Sequence, residues 1–328
     1  MKVMVLGGTG FLGWHAVKIF LERGHEVTVL ALDMPAEGLL PPEVKVKLAD
    51  LNALSDDELR ELLKGQDAVA HCAGADDRVV PKAPAYDFFY KANVVPTARL
   101  FKLAAEAGVK RGVMMSSYFC HFARIWPELS MADHHMYVKA RFDQEKAFFE
   151  ACGDQIAGCV LELGYIFGRM PGRTPLWDPI VQYLRMPFPL FYPTGGTNMI
   201  TVQAVGEAIV GAIEKGRAGE VYVVGDENHT WEEMLQMFGR AIGKVKKVHK
   251  VPYPLIKLSL TGVHLHDKMK GKEAGLFYPE FAKLQCRNTF VDNDAVAAEL
   301  GYTRGGIEAA IADVVSACPP RSLLKKKK

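Results

Sequence analysis

Three polar side chains in the middle of the chain have types and spacing suited to acid–base chemistry. Ser117 ends an apolar run, and Tyr137 and Arg141 are four residues apart. Because residues four apart share one face of a helix, a helix here would hold the Arg141 guanidinium beside the Tyr137 phenol. A phenol has an ordinary pKa of about 10, and a neighbouring cation lowers it toward the neutral range. The residue types therefore make Ser117, Tyr137 and Arg141 candidate catalytic residues, with Arg141 as the positive charge beside the phenol.

Residues near the N-terminus are suited to binding phosphate. Gly7, Gly10 and Gly13 lie between an apolar run and an amphipathic segment that starts with Phe11 and Leu12. Glycines in such a loop allow a tight turn, the close approach of a pyrophosphate and the packing of helix on sheet. The loop therefore predicts a dinucleotide site that uses these five residues.

The elements that must position these residues follow from the hydrophobic periodicity. Short apolar runs predict strands at 3–6, 25–32, 44–48, 67–75 and 112–115, and amphipathic segments predict helices at 11–23, 55–64, about 85–107 and about 137–151. Strands that alternate with helices of this length require parallel crossovers. We predict an α/β fold, a Rossmann-type doubly wound parallel sheet with a smaller, mostly helical C-terminal lobe.

The domain prediction places 1–165 in the nucleotide-binding domain, which the chain re-enters at about 199–225. Segments 166–198 and 226–320 would form the substrate lobe, and 321–328 a basic tail. Ser55 with Glu58, and Thr230 with Glu233, have the spacing of helix capping boxes.

Composition excludes several classes of protein. The formal net charge is +2, and four of the positive charges belong to the terminal lysines 325–328, so no basic surface for nucleic acid is expected. No apolar run is long enough to span a membrane. The six cysteines form no CxxC pair, which favours free thiols and a cytoplasmic location. We predict no metal site.

The chain resembles the extended short-chain dehydrogenases/reductases, the NAD-dependent epimerase/dehydratase family. The likeness covers nearly the whole chain and rests on VLGGTGFLG at 5–13, HCAG at 71–74, ANVVPT at 92–97, GVKRGVMMSS at 108–117, YVKAR at 137–141 and GEVYVVGDENHTWEEM from 219. The resemblance implies bound NAD or NADP. It implies that the cofactor lies along three groups of residues: Asp50 and Leu51 at the adenine, Cys72, Ala73 and Gly74 along its length, and Leu163, Tyr165 and Ile166 near the nicotinamide.

Two departures from the family pattern bear on the reaction. Arg141 stands where the family has lysine, which leaves two readings open: a working enzyme in which Arg141 replaces the lysine's charge, or a protein that senses a dinucleotide without turnover. Tyr118 and Phe119 stand where dehydratases of nucleotide sugars carry an Asp-Glu pair, so we expect no elimination of that kind.

Cofactor choice depends on the end of the second strand. Asp33 is near the position of an acid that binds the ribose hydroxyls, and no lysine or arginine occurs between Gly24 and Glu43 to bind a 2′-phosphate. The sequence therefore favours NAD over NADP.

The expected substrate is a small apolar or aromatic molecule. Aromatic residues lie where the family builds its substrate lid, although each of them could equally form the core of the smaller lobe: Trp177, Tyr183, Phe188, Phe191 and Tyr192. His121, four residues after Ser117, is either an auxiliary proton carrier or a structural residue, and His134 and His135 precede Tyr137 in a loop where they could contact substrate. The chain is thus predicted to be an NAD(P)-dependent oxidoreductase that interconverts a carbonyl and a secondary alcohol. The alternatives are an epimerase of the same family and a non-catalytic binding protein, and a homodimer is left open.

Overall fold

The computed structural model describes residues 1–320, so the predicted basic tail at 321–328 lies outside the described residues. The strands are β1 (Lys2–Leu6), β2 (Glu26–Ala31), β3 (Lys45–Leu48), β4 (Ala68–His71), β5 (Arg111–Ser117), β6 (Ala157–Leu163), β7 (Tyr165–Phe167), β8 (Leu190–Pro193), β9 (Gly196–Thr201), β10 (Val221–Val224), β11 (Glu227–Thr230), β12 (Val248–Val251) and β13 (Asn288–Thr289). The α-helices are α1 (Phe11–Glu22), α2 (Asp56–Leu63), α3 (Ala85–Phe89), α4 (Val95–Glu106), α5 (Tyr118–Ile125), α6 (Met131–His134), α7 (Met136–Cys152), α8 (Asp178–Arg185), α9 (Val202–Lys215), α10 (Trp231–Ile242), α11 (Tyr253–Met269), α12 (Tyr278–Gln285), α13 (Asp294–Leu300) and α14 (Ile307–Ser316).

Seven parallel strands form the main sheet in the order β10-β6-β5-β4-β1-β2-β3. The chain runs outward from β1 through β2 to β3, returns to the other side of β1, and continues through β4 and β5 to β6. Doubly wound sheets bind their ligands where the strand order reverses in this way, outside the carboxyl ends of the central strands. The predicted Rossmann-type sheet is confirmed.

Helices cover both faces of this sheet, which explains why its strands are apolar on both sides. Side chains of α1, α9 and α13 form one buried layer with β1, β2 and β6. Side chains of α2, α4 and α7 form the other layer. The carboxyl ends of β1, β4, β5 and β6 are thus held at one rigid edge.

A second, smaller unit lies beside the sheet. In it β9 pairs with β7, β11 and β13, and β8 pairs with β12. Its core gathers β7 with α8, α10 and α14. Ala297, Leu300 and Tyr302, from the predicted substrate lobe, are buried in the core of the main sheet. The predicted division into lobes stays a prediction.

The local signals in the sequence are reproduced in the helix ends. Both capping boxes form, with Ser55 and Thr230 each accepting a hydrogen bond from the backbone N–H three residues later. The helix expected over 85–107 contains a π-helical segment, Tyr90–Val94, between α3 and α4. No helix within residues 1–320 is both long and apolar enough to cross a bilayer.

Candidate active site

The glycine loop connects β1 to α1 and leaves backbone N–H groups free at the start of the helix. Gly7 has a φ of +81°, in the left-handed region, and a Cβ there would lie 3.0 Å from the Ala73 nitrogen. A Cβ on Gly13 would lie 2.2 Å from the Gly7 carbonyl oxygen, so only glycine fits. Gly10 caps α1 without a side-chain hydrogen bond, and its added Cβ would meet only the Gly7 oxygen at 3.1 Å. This open cradle at a helix N-terminus fits a pyrophosphate, with Phe11 and Leu12 supplying the first N–H groups.

The end of β4 lies next to this loop. Cys72 is partly buried and burial raises the pKa of its thiol to about 12, so it is a neutral wall residue. Ala73 lies next to Gly7 as described. Gly74 has a φ of +147°, which favours glycine, and a Cβ there would lie 2.9 Å from the Asn93 side-chain oxygen. These three residues therefore border the same crevice as the glycine loop.

Asn93 fixes the chain that follows β4. Its side chain accepts a hydrogen bond from the Ala75 N–H (2.8 Å) and donates one to the Ala75 carbonyl (3.0 Å). Asn93 is fully buried and belongs to the π-helical segment. π-segments interrupt regular helices at functional sites. Here the π-helical segment carries Asn93, whose side-chain amide holds the backbone at Ala75 in the crevice.

Tyr137 and Arg141 share one face of α7, as their spacing predicts. Both are buried, and the guanidinium carbon of Arg141 lies 5.1 Å from the centroid of the Tyr137 ring. The guanidinium donates to the carbonyls of Met115 (3.2 Å) and Ala75 (3.3 Å) and to the side-chain oxygen of Gln144 (2.7 Å). Within residues 1–320 Arg141 forms no ion pair with a carboxylate. Its positive charge is therefore held in place by neutral acceptors alone.

A buried polar network positions Gln144 and, through it, Arg141. Gln144 donates to the Thr97 hydroxyl (2.9 Å), and that hydroxyl donates to the Asn93 carbonyl (2.6 Å). His71 at the end of β4 completes the network with a ring nitrogen 3.1 Å from the same hydroxyl. Burial and the Arg141 charge lower the pKa of His71 to about 4, so His71 is neutral. The network adds no charge to the arginine's surroundings.

The pKa of Tyr137 differs from the expectation set by the sequence. Arg141 lowers it as predicted, but burial outweighs that effect, and the pKa is raised to about 12. Asp77 acts in the same direction as burial. Burial raises the pKa of Tyr118, Tyr165 and Tyr278, and the charge of Asp77 acts in the same direction on each of them. Burial and Asp76 in turn raise the pKa of Asp77 to about 6.

The two serines that end β5 have different surroundings, because successive side chains of a strand point to opposite faces. Ser117 is buried and accepts a hydrogen bond from the Phe119 N–H, capping α5. Ser116 donates to Glu145 at 2.5 Å. Ser117, and not Ser116, is thus left with its hydroxyl proton uncommitted within the described hydrogen bonds.

Below Arg141, one further helical turn along α7, lies a cluster of opposite charges. Arg124 contacts Glu162 at 2.5 Å and Glu145 at 3.5 Å. Burial and the neighbouring Glu145 raise the pKa of Glu162, and Arg124 opposes that rise. The Cys120 sulfur and the two carboxylates lie within 4.8 Å of one another. Because Arg124 already supplies a cation to both carboxylates, we interpret this group as a buried ion-pair cluster, and no metal site is assigned.

A short segment after α11 covers the start of α7. The Tyr137 N–H donates to the Gly275 carbonyl (2.9 Å), and the Phe277 N–H donates to Nδ1 of His135 (3.0 Å). A Cβ on Gly275 would lie 2.8 Å from the Tyr137 Cβ. His135 therefore has a structural role, whereas His134 is exposed and His121 is half-buried beside Phe122.

The aromatic residues expected to form a lid have mostly structural positions. Trp177 stacks on Phe167 with ring centroids 4.5 Å apart, and Tyr183 and Tyr192 pack against the same core of the smaller unit. Phe188 and Phe191 are exposed. A different set of aromatic residues, which we call the aromatic wall, is grouped around Tyr137. The sequence did not indicate this group, which consists of Phe89, Tyr118, Phe119, Tyr165 and Phe281.

Comparison with known proteins identifies this arrangement. A family model described as NAD(P)H-binding matches residues 7–149. The human "sterol-4-alpha-carboxylate 3-dehydrogenase, decarboxylating" is 35% identical over 116 residues, which are 35% of this chain and 29% of that protein. The "putative dihydroflavonol 4-reductase" of Synechocystis sp. is 25% identical over 338 aligned positions, covering 95% of this chain and 92% of the relative. The chain is therefore similar to NAD(P)H-binding proteins over residues 7–149 and to dehydrogenases and reductases of the extended short-chain type.

Solved structures agree at the level of the fold. The crystal structure of gox2253 superposes with a TM-score of 0.77 at 21% identity, covering 96% of this chain and 97% of the other. The NAD(P)H-binding match spans the glycine loop, β4, β5 and most of α7, and the protein binds NAD or NADP.

Within this reductase-type fold, the other predicted cofactor residues also lie at the carboxyl edge of the sheet. Asp50 accepts two hydrogen bonds from Asn52, and the carbonyl of buried Leu51 accepts one from Arg99 (2.8 Å). Leu163 ends β6, and Tyr165 and Ile166 follow it in β7. Their contacts with the cofactor stay predictions.

Asp33, the acid predicted to bind the ribose hydroxyls, has a partner that the local sequence did not reveal. Arg173, from the loop before α8, contacts Asp33 at 2.5 Å. The same loop packs closely, since a Cβ on Gly172 would lie 2.6 Å from the Pro35 carbonyl oxygen. An arginine therefore stands at the end of β2 although none occurs in the adjoining sequence.

Proposed function

We propose that the protein is an NAD(P)-dependent oxidoreductase that interconverts a carbonyl and a secondary alcohol on an apolar or aromatic small molecule. The observation that carries the proposal is the buried guanidinium of Arg141, which lies against the Tyr137 ring and, within residues 1–320, contacts no carboxylate, although the charges of Asp76 and Asp77 act on it. Burying a cation without a counter-ion is costly. The cost has a use if an anion forms beside it during the reaction, and the Tyr137 phenolate is such an anion.

The residues have distinct roles in this proposal. A bound nicotinamide supplies or accepts the hydride. Tyr137 gives its proton to the substrate oxygen, Ser117 donates a hydrogen bond to the same oxygen, and Arg141 stabilises the phenolate that remains. Because the raised pKa keeps the Tyr137 phenol protonated at neutral pH, the free protein is prepared for reduction of a carbonyl. Gln144, Thr97 and Asn93 are positioning residues, since they act through Arg141 and Ala75.

The chemistry of the wall supports the substrate class. Phe119, Phe281 and Tyr165 offer apolar surface beside Tyr137. The two curated relatives are named for a sterol carboxylate and a dihydroflavonol. Asp77 adds one carboxylate to this otherwise neutral wall. We expect a substrate with a flat or alicyclic ring beside the reacting carbon.

The test is the absorbance of NADH or NADPH mixed with the protein and a panel of alicyclic and aromatic ketones. Tyr137→Phe should lower turnover by about a hundredfold or more, because the general acid is lost while the ring still packs. The dissociation constant for the cofactor should stay within about threefold of the native value, since the phenyl ring is retained. Equal turnover in Tyr137→Phe and the native protein would contradict the proposed role.

The two alternatives predict other results. An epimerase would invert its substrate without net change in cofactor absorbance, and only chiral analysis of the product would detect turnover. A sensing protein would bind the cofactor and turn over none of the substrates. In that case Arg141→Lys, which restores the family pattern, is the variant in which activity should appear.

A further inference from the structure

Helix α11 has an outer face that the rest of the chain leaves uncovered. None of its 17 residues is fully buried, and the helix packs chiefly against α12. Four large apolar side chains on it are strongly exposed: Leu255 (56%), Leu258 (69%), Leu265 (52%) and Met269 (80%). Together with Gly262 they recur every three or four residues, so they form one stripe about 21 Å long. We call this stripe and its helix the α11 face.

The charge around the α11 face is strongly positive. Segment 244–272 contains eight lysines and one aspartate, for a net charge of +7, while the whole chain has a net charge of only +2. Lys268, Lys270 and Lys272 are exposed at the C-terminal end of the stripe and form no ion pair within residues 1–320. At the other end, 244–250 contains four more lysines, of which Lys250 pairs with Glu232 and Lys246 donates to the Met186 and Phe188 carbonyls. An exposed apolar stripe with lysines at both ends has the composition of a helix that lies on an anionic bilayer.

We propose that the α11 face docks on the surface of an anionic phospholipid membrane, with its leucines and Met269 among the acyl chains and its lysines at the headgroups. A second copy of the chain fits the stripe less well. In either a parallel or an antiparallel pairing of two α11 helices, lysines at the ends of one copy would face lysines of the other. Like charges in contact oppose such a pairing, whereas anionic lipid neutralises them.

The position of α11 connects this surface to the candidate active site. The chain leaves α11 at Met269 and reaches Gly275 within six residues, where it receives the Tyr137 N–H. Leu276 is buried in the aromatic cluster around Tyr137, and α12 brings Phe281 to the same cluster. A membrane-bound α11 would therefore hold the wall of the site next to the acyl chains. An apolar substrate dissolved in the bilayer would have a short path to Tyr137.

The experiment is co-sedimentation of the full chain with vesicles of phosphatidylcholine and phosphatidylserine, and with vesicles of phosphatidylcholine alone. We expect binding to the mixed vesicles that weakens as salt is added, since lysines contribute. Leu258→Gln combined with Met269→Gln should lower the partition coefficient by about tenfold, because two apolar side chains no longer enter the acyl region. Both side chains are exposed, so the fold should be kept, and circular dichroism checks this.

The matched control is Leu48→Gln, which makes the same change at an exposed leucine on the edge strand β3. It should bind vesicles as the native protein does. All variants keep the C-terminal lysines, so those lysines contribute equally to each. Three results would each overturn the proposal: no binding to the mixed vesicles, equal binding by the double variant, or a dimer in light scattering that the double variant dissociates. The last result would assign the α11 face to a second copy.

Discussion

Arg141 belongs to α7, and Arg124 contacts Glu145 on the same helix, but the charges of the two arginines are balanced differently. Arg124 has two carboxylates, Glu145 and Glu162, and is partly exposed. Arg141 is buried and has only carbonyl and amide oxygens as acceptors. The folded chain itself supplies the counter-charges of a paired cation, and removing one of them leaves an uncompensated charge. Arg141 feels the charges of Asp76 and Asp77 but forms no ion pair with either of them, so it can still stabilise an anion that forms beside it. This makes Arg141 the member of the pair suited to chemistry.

The comparison also shows how one helix face can serve two purposes. Tyr137, Arg141 and Glu145 follow one another at four-residue intervals on α7, so they lie one above the other. The first two meet the crevice at the sheet edge, and the third enters the ion-pair cluster. Neutral Gln144, next to Glu145 in the sequence, accepts a hydrogen bond from Arg141 and donates one to Thr97.

The largest effect that distinguishes the two arginines is expected in catalysis. Arg141→Met should lower turnover by about ten- to a hundredfold, because the phenolate loses its cationic neighbour. It should also raise the pKa of Tyr137, since the guanidinium lowers that pKa in the native protein. In the direction of alcohol oxidation the rate increases as Tyr137 ionises, so the rise of rate with pH should move to higher pH. Arg141→Lys should retain measurable activity.

Arg124→Met is the matched control for that experiment. It removes a guanidinium from the paired environment, and we expect it to reduce the free energy of unfolding while the pH dependence of the rate stays as in the native protein. If the rise of the rate with pH moved equally in Arg141→Met and Arg124→Met, the two arginines would act alike on Tyr137 and the difference between their environments would not matter for the reaction.

The second effect is expected in stability and concerns the carboxylates. The pKa of Glu162 is raised from 4.5 to about 8, so between these values the folded protein holds a proton that the unfolded chain has released. Stability therefore falls as pH rises through this window. Glu162→Gln cannot ionise, so its stability should fall less, with a relative gain on the order of 2 kcal/mol at the upper end. Urea unfolding at several pH values measures the difference.

Glu128→Gln serves as the control for this prediction, because Glu128 pairs with Arg287 at the surface. Exposed pairs contribute little, so this variant should follow the native profile. A Glu162→Gln variant with the same pH dependence as the native protein would mean that Glu162 ionises normally in the folded state.

The sequence predicted the sheet, the glycine loop and the shared face of Tyr137 and Arg141, because each depends on residues close together in the chain. The glycine loop in particular can be read locally, because a tight turn and a close approach of the backbone to a phosphate require glycine at fixed positions. The partners of Arg141 come from elements far apart, namely Ala75, Met115 and Gln144. No local signal indicates which carbonyls the guanidinium will meet.

Other features were missed for the same reason. The raised pKa of Tyr137 depends on its burial under residues 275–277, which lie some 140 positions away in the chain. The aromatic wall was sought around Trp177, where the aromatic residues are dense in the sequence, but Trp177 instead stacks on Phe167. Asn93 was visible only as one letter of a family motif, and its role depends on the π-helical turn.

The smallest effect is expected at a third arginine, Arg173, whose exposed pair with Asp33 contrasts with both buried environments. Exposed ion pairs contribute little free energy, so a stronger anion can separate them. The 2′-phosphate of NADP is such an anion, while the Asp33 carboxylate repels it and favours the ribose hydroxyls of NAD. We therefore expect the native protein to bind NADH more tightly than NADPH. Asp33→Ser should narrow or reverse this preference by about five- to tenfold, because Arg173 is released to bind the 2′-phosphate.

Titration calorimetry with both cofactors measures the two affinities, and adding Arg173→Ala to Asp33→Ser should remove the gain in affinity for NADPH. If Asp33→Ser left both affinities unchanged, Arg173 would be a structural contact of its loop and the cofactor preference would be set elsewhere.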